Sequence, residues 1–230
     1  MKKLFAFTLA ETLVVIGIIG VVSALTLPNL NASTGDKENI AKVKKAYRDL
    51  DQALGMAKTK YGNFNTWFNG DTTQAAQSTR FGQRMTEFMK VTKTCGLNAN
   101  QGCFSKSNII FANGTKGSSF DAQSLYYKII LSDGTSVVFS GKSNMFVDID
   151  GPNKGPNKYG YDLFQFQIQD QSVVPRRPDT FANYFSGLIA VNNGGHSASG
   201  WVIDYDNMDY KKIIAGKCKT TPTETNPRCN

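Results

Sequence analysis

The sequence predicts an α+β protein in which a long N-terminal helix, kinked near Pro28, packs on an antiparallel β-sheet. An apolar run and then a spaced apolar stripe occupy the first quarter of the chain. Short apolar runs follow, separated by Gly, Asn, Ser and Asp, which is typical of strands joined by turns. The chain has 230 residues, so roughly 170–200 remain after the helix, which is enough for one domain with its own core.

The stripe that follows Pro28 predicts an amphipathic helix from about Asp36 to Tyr61. Its members recur at spacings of three and four residues: Ile40, Val43, Tyr47, Leu50, Leu54, Ala57 and Tyr61. Pro28 lacks a backbone donor, so we expect a kink or break there, and residues 29–35 are turn-like. Gly62 is expected to end the helix.

The remaining elements are predicted from shorter patterns. A second helix is predicted over 79–91, although Gly82 is a poor helix former. Strands are predicted at 109–111, 125–131, 135–139, 145–149, 163–168, 188–191 and 201–205. Ser132-Asp133-Gly134 has the composition of a hairpin turn. A final helix is predicted over 208–215, ending at Gly216.

The four cysteines form two local pairs, each closing a short polar loop. They are Cys95, Cys103, Cys218 and Cys229. Neither spacing is the C-x-x-C of a metal or redox motif, and four cysteines allow three connectivities. Locality favours Cys95–Cys103 and Cys218–Cys229. Because an export signal precedes them, we interpret them as disulfides, with free buried thiols as the alternative.

The N-terminus carries a strongly apolar segment behind two lysines. The 21 residues from Phe7 to Leu27 would form a helix about 30 Å long, which matches the hydrocarbon thickness of a bilayer. The lysines should stay on the cytoplasmic side. Three interpretations follow: a secretory signal cut after Ala24, a plain single-span anchor, or a leader cut before the apolar segment.

Glu11 favours the third interpretation. A carboxylate at mid-bilayer costs roughly 2.5–3.5 kcal/mol, while the ten aliphatic residues return about 3–6 kcal/mol. A cut between Ala6 and Phe7 would create a positive amine four residues from Glu11. A neighbouring copy shifted along the helix axis could pair its amine with this carboxylate and fix the register. The alternative is a carboxylate tolerated near the headgroups.

This N-terminal pattern resembles the signal of type IV prepilins and of type II secretion pseudopilins. Lys2-Lys3 and a short leader precede Phe7-Thr8-Leu9-Ala10-Glu11 and the aliphatic run, and Pro28 stands at its end. Ala6 occupies the position before the cut, where such families usually carry glycine. The resemblance implies cleavage between Ala6 and Phe7 by a prepilin peptidase, N-methylation of Phe7, and a role of Glu11 in assembly.

The resemblance also implies a domain organisation. Residues 1–6 would be the leader, 7–28 the transmembrane and filament-core helix, 29–62 a helical spine, and 63–230 a globular domain with a disulfide-stapled tail. The chain would be a single-pass protein of the cytoplasmic (inner) membrane with an exported C-terminal domain, later assembled into a periplasmic or extracellular filament. Its partners would be copies of itself, other pilin-like subunits, the prepilin peptidase, the inner-membrane assembly machinery and the lipid bilayer.

The expected function is that of a structural subunit of a type IV pilus, a pseudopilus or a related filament. The alternatives are a minor pilin that binds a surface or DNA, and a secreted soluble protein released after Ala24. The net charge of +8 is spread along the chain, without the dense basic and aromatic run of a nucleic-acid site. No enzymatic motif is present, and we expect His196 to lie in a solvent-exposed loop.

One loop carries candidate metal ligands. Asp148, Asp150, Asn153, Asn157 and Asp162 offer hard oxygen atoms at close spacing, and Ca²⁺ takes roughly six to eight such atoms. The closing glutamate of an EF-hand is absent. The loop is also similar to a signature of some pilin-like proteins, and major pseudopilins bind Ca²⁺ in a comparable loop. The alternative is a rigid turn in which Asp and Asn act as turn formers.

Overall fold

The structure, a computed structural model, describes residues 9–189 and 194–229, and the side chains of all of these except 23–34 and 189. It divides into two compact units, one ending at Glu38 and the other beginning at Asn39. The second unit is α+β and contains a six-stranded antiparallel sheet, which confirms the α+β class and the antiparallel sheet of the prediction.

Helix α1 (Leu9–Tyr61) is the first element of the described chain. Over residues 9–22 every side chain is exposed, the apolar ones included. Among the residues that the structure describes, no helix is both long enough and apolar enough to cross a membrane. Residues 29–35, predicted to be turn-like, are helical, because α1 runs through them without a break. The predicted cut between Ala6 and Phe7 lies outside the described residues, and the side chain of Pro28 does too, so the cut and the kink stay predictions.

The strands follow in the second unit. In chain order they are β1 (Val91–Gly96), β2 (Ile109–Ile110), β3 (Lys116–Gly117), β4 (Tyr127–Leu131), β5 (Ser136–Ser140), β6 (Asn144–Asp148), β7 (Leu163–Gln169) and β8 (Ser172–Pro175). The large sheet has the order β1-β4-β5-β6-β7-β8, and each of its pairings is antiparallel. Strands β2 and β3 form a separate pair. The predicted hairpin is confirmed, with Gly134 at φ +89° in its turn.

The C-terminal part of α1 shares one core with the large sheet. Val43, Leu50, Leu54 and Ala57 are almost fully buried there. Tyr47 stacks on Phe166 of β7 with ring centroids 6.0 Å apart. The predicted apolar stripe is therefore confirmed as the surface that packs on the sheet. The helix ends where predicted, since Gly62 at φ +78° donates its N–H to the carbonyl of Lys58.

The opposite face of the sheet carries a smaller core and most of the polar features. Its buried members are Phe104, Ile109, Phe120, Val138, Tyr159 and Leu163. Strand β7 shows the division directly, because Phe164 and Phe166 belong to the α1 core while Leu163 belongs to the second. The side chains at 165 and 167 therefore point to the same face as Leu163.

The remaining helices are α2 (Gln74–Thr86), α3 (Phe181–Ile189), α4 (Ala198–Tyr205) and α5 (Tyr210–Ile214), with a short 3-10 helix at Phe64–Thr66. The helix predicted over 79–91 begins earlier, because Thr73 caps it by accepting the N–H of Ala76. It also ends earlier, at Thr86, and Val91 belongs to β1. The last helix is confirmed, with Gly216 at φ +65° after it. Strands β1 and β8 were not predicted, since the mostly polar β1 has no apolar run.

Two predicted strands are wrong. The residues over 201–205 form the second half of α4, and the segment predicted over 188–191 begins in α3, while 190 and 191 lie outside the description. Both segments are rich in residues with high β-propensity. Trp201 packs on Tyr184 at 5.4 Å and on Phe181 at 5.8 Å between ring centroids, so α4 packs on α3. Packing between helices has overridden local propensity.

Both expected disulfides are present. Cys95 is joined to Cys103 and Cys218 to Cys229, and the part of the chain described contains no free cysteine. The buried carboxylate of Asp121 accepts the N–H of Gly102 at 3.0 Å, which holds the first disulfide loop on the domain. Local pairing was therefore a sound guide to connectivity in this chain.

Gly82 and Gly55 offer a matched test of the packing. A Cβ at Gly82 would lie 2.1 Å from the buried ring of Tyr127, whereas one at Gly55 would meet nothing within 4 Å. We expect Gly82→Ala to lower the free energy of unfolding by about 1–3 kcal/mol through overpacking. Gly55→Ala should raise it by about 0.5–1 kcal/mol, because alanine is the better helix former. Urea unfolding of both variants measures this, and equal effects would contradict the described packing.

Candidate metal centre

Three carboxylates meet on the second face of the sheet, where β6 ends and β7 begins. Asp148 is the last residue of β6, Asp150 follows it, and Asp162 directly precedes β7. Because Asp148 and Leu163 are register partners, the two strands bring these residues together. Each can place one carboxylate oxygen within 4.8 Å of those of the other two. The structure thus brings together three of the five residues predicted as ligands, while their binding of a metal stays a prediction.

The backbone of the connecting loop fixes two of the carboxylates. Asp162 accepts the N–H groups of Asn157 and Lys158, both at 2.6 Å. One oxygen of Asp148 accepts the N–H of Gly151 at 3.0 Å. Gly151 has φ +84°, and a Cβ there would lie 2.3 Å from the carbonyl oxygen of Gly134. The loop is thereby held close against the β4–β5 turn, which only glycine permits at this position.

Several oxygen atoms at this site are buried without a hydrogen-bond partner in the described part of the chain. They are Asp148 Oδ2, Asp150 Oδ1 and Asn157 Oδ1. Asp148 is only 1% exposed and Asn157 only 7%. The hydroxyl of Ser136, opposite Asp148 in the β5–β6 register, is unpaired as well. Buried polar atoms without partners are costly, so this set is suited to a ligand that accepts electron pairs from oxygen.

The electrostatics of the three carboxylates lead to the same conclusion. Burial, the adjacent carboxylate of Asp150 and the charge of Asp162 raise the pKa of Asp148 to about 9. Burial also raises the pKa of Asp162 to about 6, against the hydrogen bonds from Lys158 and Asn157. Asp148 therefore keeps its proton at neutral pH unless a nearby positive charge compensates its ionised form.

The donor set fits a hard divalent cation. All the side-chain donors named here are oxygens, which suit Ca²⁺ or Mg²⁺ rather than zinc or copper. Asn153, also predicted as a ligand, is exposed and lines a neighbouring cavity together with Asn157. Its role as a ligand stays a prediction. Ser136 could not be found from the sequence, because its proximity to Asp148 depends on strand register.

The position of His196 differs from the prediction. Its ring is not in solvent but packs on Tyr159 at 4.3 Å and on Phe111 at 5.9 Å between ring centroids. Its Nε2 atom is buried without a hydrogen-bond partner. Burial and the charge of Arg176 lower the pKa of His196 to about 4, so the imidazole is neutral at physiological pH. Gly194 and Gly195 on its N-terminal side had suggested an exposed loop.

Comparison with protein-family models, curated proteins and solved structures gave no match to this chain. The assignment of a function therefore depends on the geometry described above and on the sequence pattern. Of the N-terminal residues singled out in the sequence, Glu11 lies in α1 with an exposed side chain, while Ala6 and Phe7 lie outside the described residues.

The metal-free protein should lose stability as the pH rises. The folded state keeps the proton of Asp148 up to a pKa of about 9, whereas the unfolded state releases it near the ordinary value of 3.8. Between these two pKa values, each rise of one pH unit therefore lowers the free energy of unfolding by about 1.4 kcal/mol. His196 acts in the opposite direction only below its unfolded pKa of 6.5, so pH 6.5–8.5 isolates Asp148.

Urea unfolding in the presence of a chelator measures this slope. Asp148→Asn should abolish it between pH 6.5 and 8.5, whereas the control Asp170→Asn, at an exposed position, should leave it unchanged. A wild-type protein whose stability does not change over this range would contradict the raised pKa.

Proposed function

We propose that this chain is a structural subunit of a type IV pilus, a pseudopilus or a related filament, assembled through its N-terminal helix. The observation that carries the proposal is the exposed apolar surface of α1. The large apolar side chains of residues 9–22 are between 49% and 82% exposed. They include the consecutive residues 13–16, so apolar groups surround the whole helix rather than one stripe. Such a helix is stable only in a bilayer or among other helices.

The proposed occupants of this surface are first the lipid bilayer and then the same helix of other copies. Two lysines before the apolar segment would hold the N-terminus on the cytoplasmic side of the membrane. Glu11 places one carboxylate on the otherwise apolar helix. After cleavage between Ala6 and Phe7, the new amine of a neighbouring copy would offset this charge. The resemblance to prepilin signals supports the same arrangement.

The second unit supports the proposal because its core is complete without a partner. The stripe of α1 beyond Asn39 is already buried against the sheet of its own chain. Two disulfides stabilise the loops of this unit, which suits a protein exported to an oxidising compartment. Among the side chains that the structure describes, the continuous run of exposed large apolar groups therefore lies at residues 9–22 of the helix.

Mass spectrometry of the mature N-terminus tests the proposal. We expect the chain purified from the cells that produce it to start at Phe7 with an N-methyl group. An uncut chain should accumulate when Ala6 is replaced by a bulky residue, as in Ala6→Trp, while the exposed Gln169→Trp variant should mature normally. A mature chain starting at Leu25 would instead show a secreted protein and would contradict assembly through the apolar helix.

We also propose that the loop over 148–162 binds Ca²⁺. The observation that carries this is the convergence of three carboxylates with buried oxygens that lack partners. Asp148, Asp150 and Asp162 would supply the charge and Asn157 its side-chain oxygen. Bound Ca²⁺ would neutralise the carboxylates and hold the long loop between β6 and β7 in one conformation.

Calorimetric titration of the chelated protein with Ca²⁺ tests this proposal. We expect saturable binding and a rise in the melting temperature, because Ca²⁺ binds the folded state selectively. Asp148→Asn should weaken binding at least tenfold, since it removes one charge from the cluster, and Asp170→Asn should bind as the wild type does. If the wild-type protein shows no binding heat and no shift of its melting temperature, the proposed metal site is contradicted.

A further inference from the structure

A polar cavity lies on the same face of the sheet as the metal loop, near the opposite ends of β6 and β7. Its volume is about 450 Å³, within the range of small-molecule sites. The described residues that line it are Ser143, Asn144, Gln165, Gln167, Arg176, Gly187, His196 and Ser197. Strands β6 and β7 contribute the amides, and Arg176 directly follows β8. The turn over 194–197 contributes the imidazole and a hydroxyl.

Gln165 is the group that most needs a ligand. Its side chain is 6% exposed, and its Nε2 donates to Asn144 Oδ1 at 3.1 Å. Its Oε1 atom is buried and has no hydrogen-bond partner among the residues that the structure describes. The amide is held in place by its one bond and leaves a fixed acceptor at the cavity wall. A natural partner for this atom is a ligand that donates a hydrogen bond.

Two further groups define the chemistry of the cavity. Arg176 donates from Nη1 to Gln167 Oε1 at 2.9 Å, and its guanidinium carries several other N–H donors. His196 presents a buried Nε2 atom without a partner, in a ring that its surroundings keep neutral. No carboxylate occurs among the lining residues that the structure describes. The wall therefore offers both fixed acceptors and fixed donors, with one positive charge.

We propose that this cavity binds a saccharide through its hydroxyl groups, with Gln165 and Arg176 as the principal contacts. A hydroxyl both donates and accepts, so neighbouring hydroxyls on one ring can satisfy Gln165 Oε1 and the guanidinium together. A simple anion would satisfy only the arginine. A hydrocarbon would leave the buried amide and imidazole unpaired, at a cost that disfavours binding.

The saccharide site is independent of the functions proposed above. None of its lining residues belongs to the carboxylate cluster or to the exposed part of α1. It would give the exported domain a recognition function whether or not the chain polymerises. Failure of the saccharide test would accordingly leave the filament and metal proposals unaffected.

Binding to the full chain, kept in a detergent without sugar groups, tests the proposal. The probes are free glucose, galactose, N-acetylglucosamine, glucuronate and N-acetylneuraminate, each followed by saturation-transfer difference NMR and titration. We expect at least one of them to bind saturably. Gln165→Leu should weaken that binding at least tenfold, because it removes the fixed acceptor. The matched variant Gln169→Leu, at the exposed end of the same strand, should change it less than twofold.

A second pair of variants keeps the test independent of folding. Arg176 and Arg177 are adjacent and both exposed, but only Arg176 lines the cavity, while Arg177 pairs with Asp204. Arg176→Met should weaken binding at least tenfold and Arg177→Met should not. The proposal is overturned if no saccharide of the panel binds, if both arginine variants bind as the wild type does, or if acetate and inorganic phosphate displace the saccharide with equal strength.

Discussion

The packing of the apolar stripe of α1 on one face of the six-stranded sheet is the interaction on which the second unit depends. Leu50 and Leu54 are each 1% exposed, and the ring of Tyr47 stacks on Phe166. This contact joins residues more than a hundred positions apart in the chain. It buries the face of the central strands that is turned toward the helix. The polar side chains and loops of those strands therefore lie on the opposite face of the sheet.

The side chains of β7 alternate between the two faces of the sheet, so this one strand contributes to both. Phe164 and Phe166 are buried in the α1 core, while Gln165 and Gln167 line the polar cavity on the other side. Asp148 and Asp162 lie at the far end of the same polar face. Both proposed ligand sites therefore depend on the register of β6 and β7, which the apolar core fixes from the opposite side.

The sequence was sufficient to predict those features that depend on a local pattern of residues. The helical stripe, the turn at 132–134, the disulfide pairs and the three aspartates were all found from spacing alone. It was insufficient where tertiary contacts decide the outcome. Trp201 and its neighbours are helical because they pack on α3, and His196 is buried by aromatic rings distant in sequence. Ser136 and Gln165 gain their importance only from strand register, which no local pattern records.

The most direct test of the central claim is electron microscopy of fibres sheared from the cells that naturally produce this chain, labelled with an antibody against its C-terminal domain. We predict label along the whole length of the fibres. Glu11→Gln should abolish these fibres while the chain remains in the membrane, whereas the exposed Glu38→Gln variant should leave them intact. Unlabelled fibres, or labelled fibres that persist in the Glu11→Gln variant, would contradict assembly through the N-terminal helix.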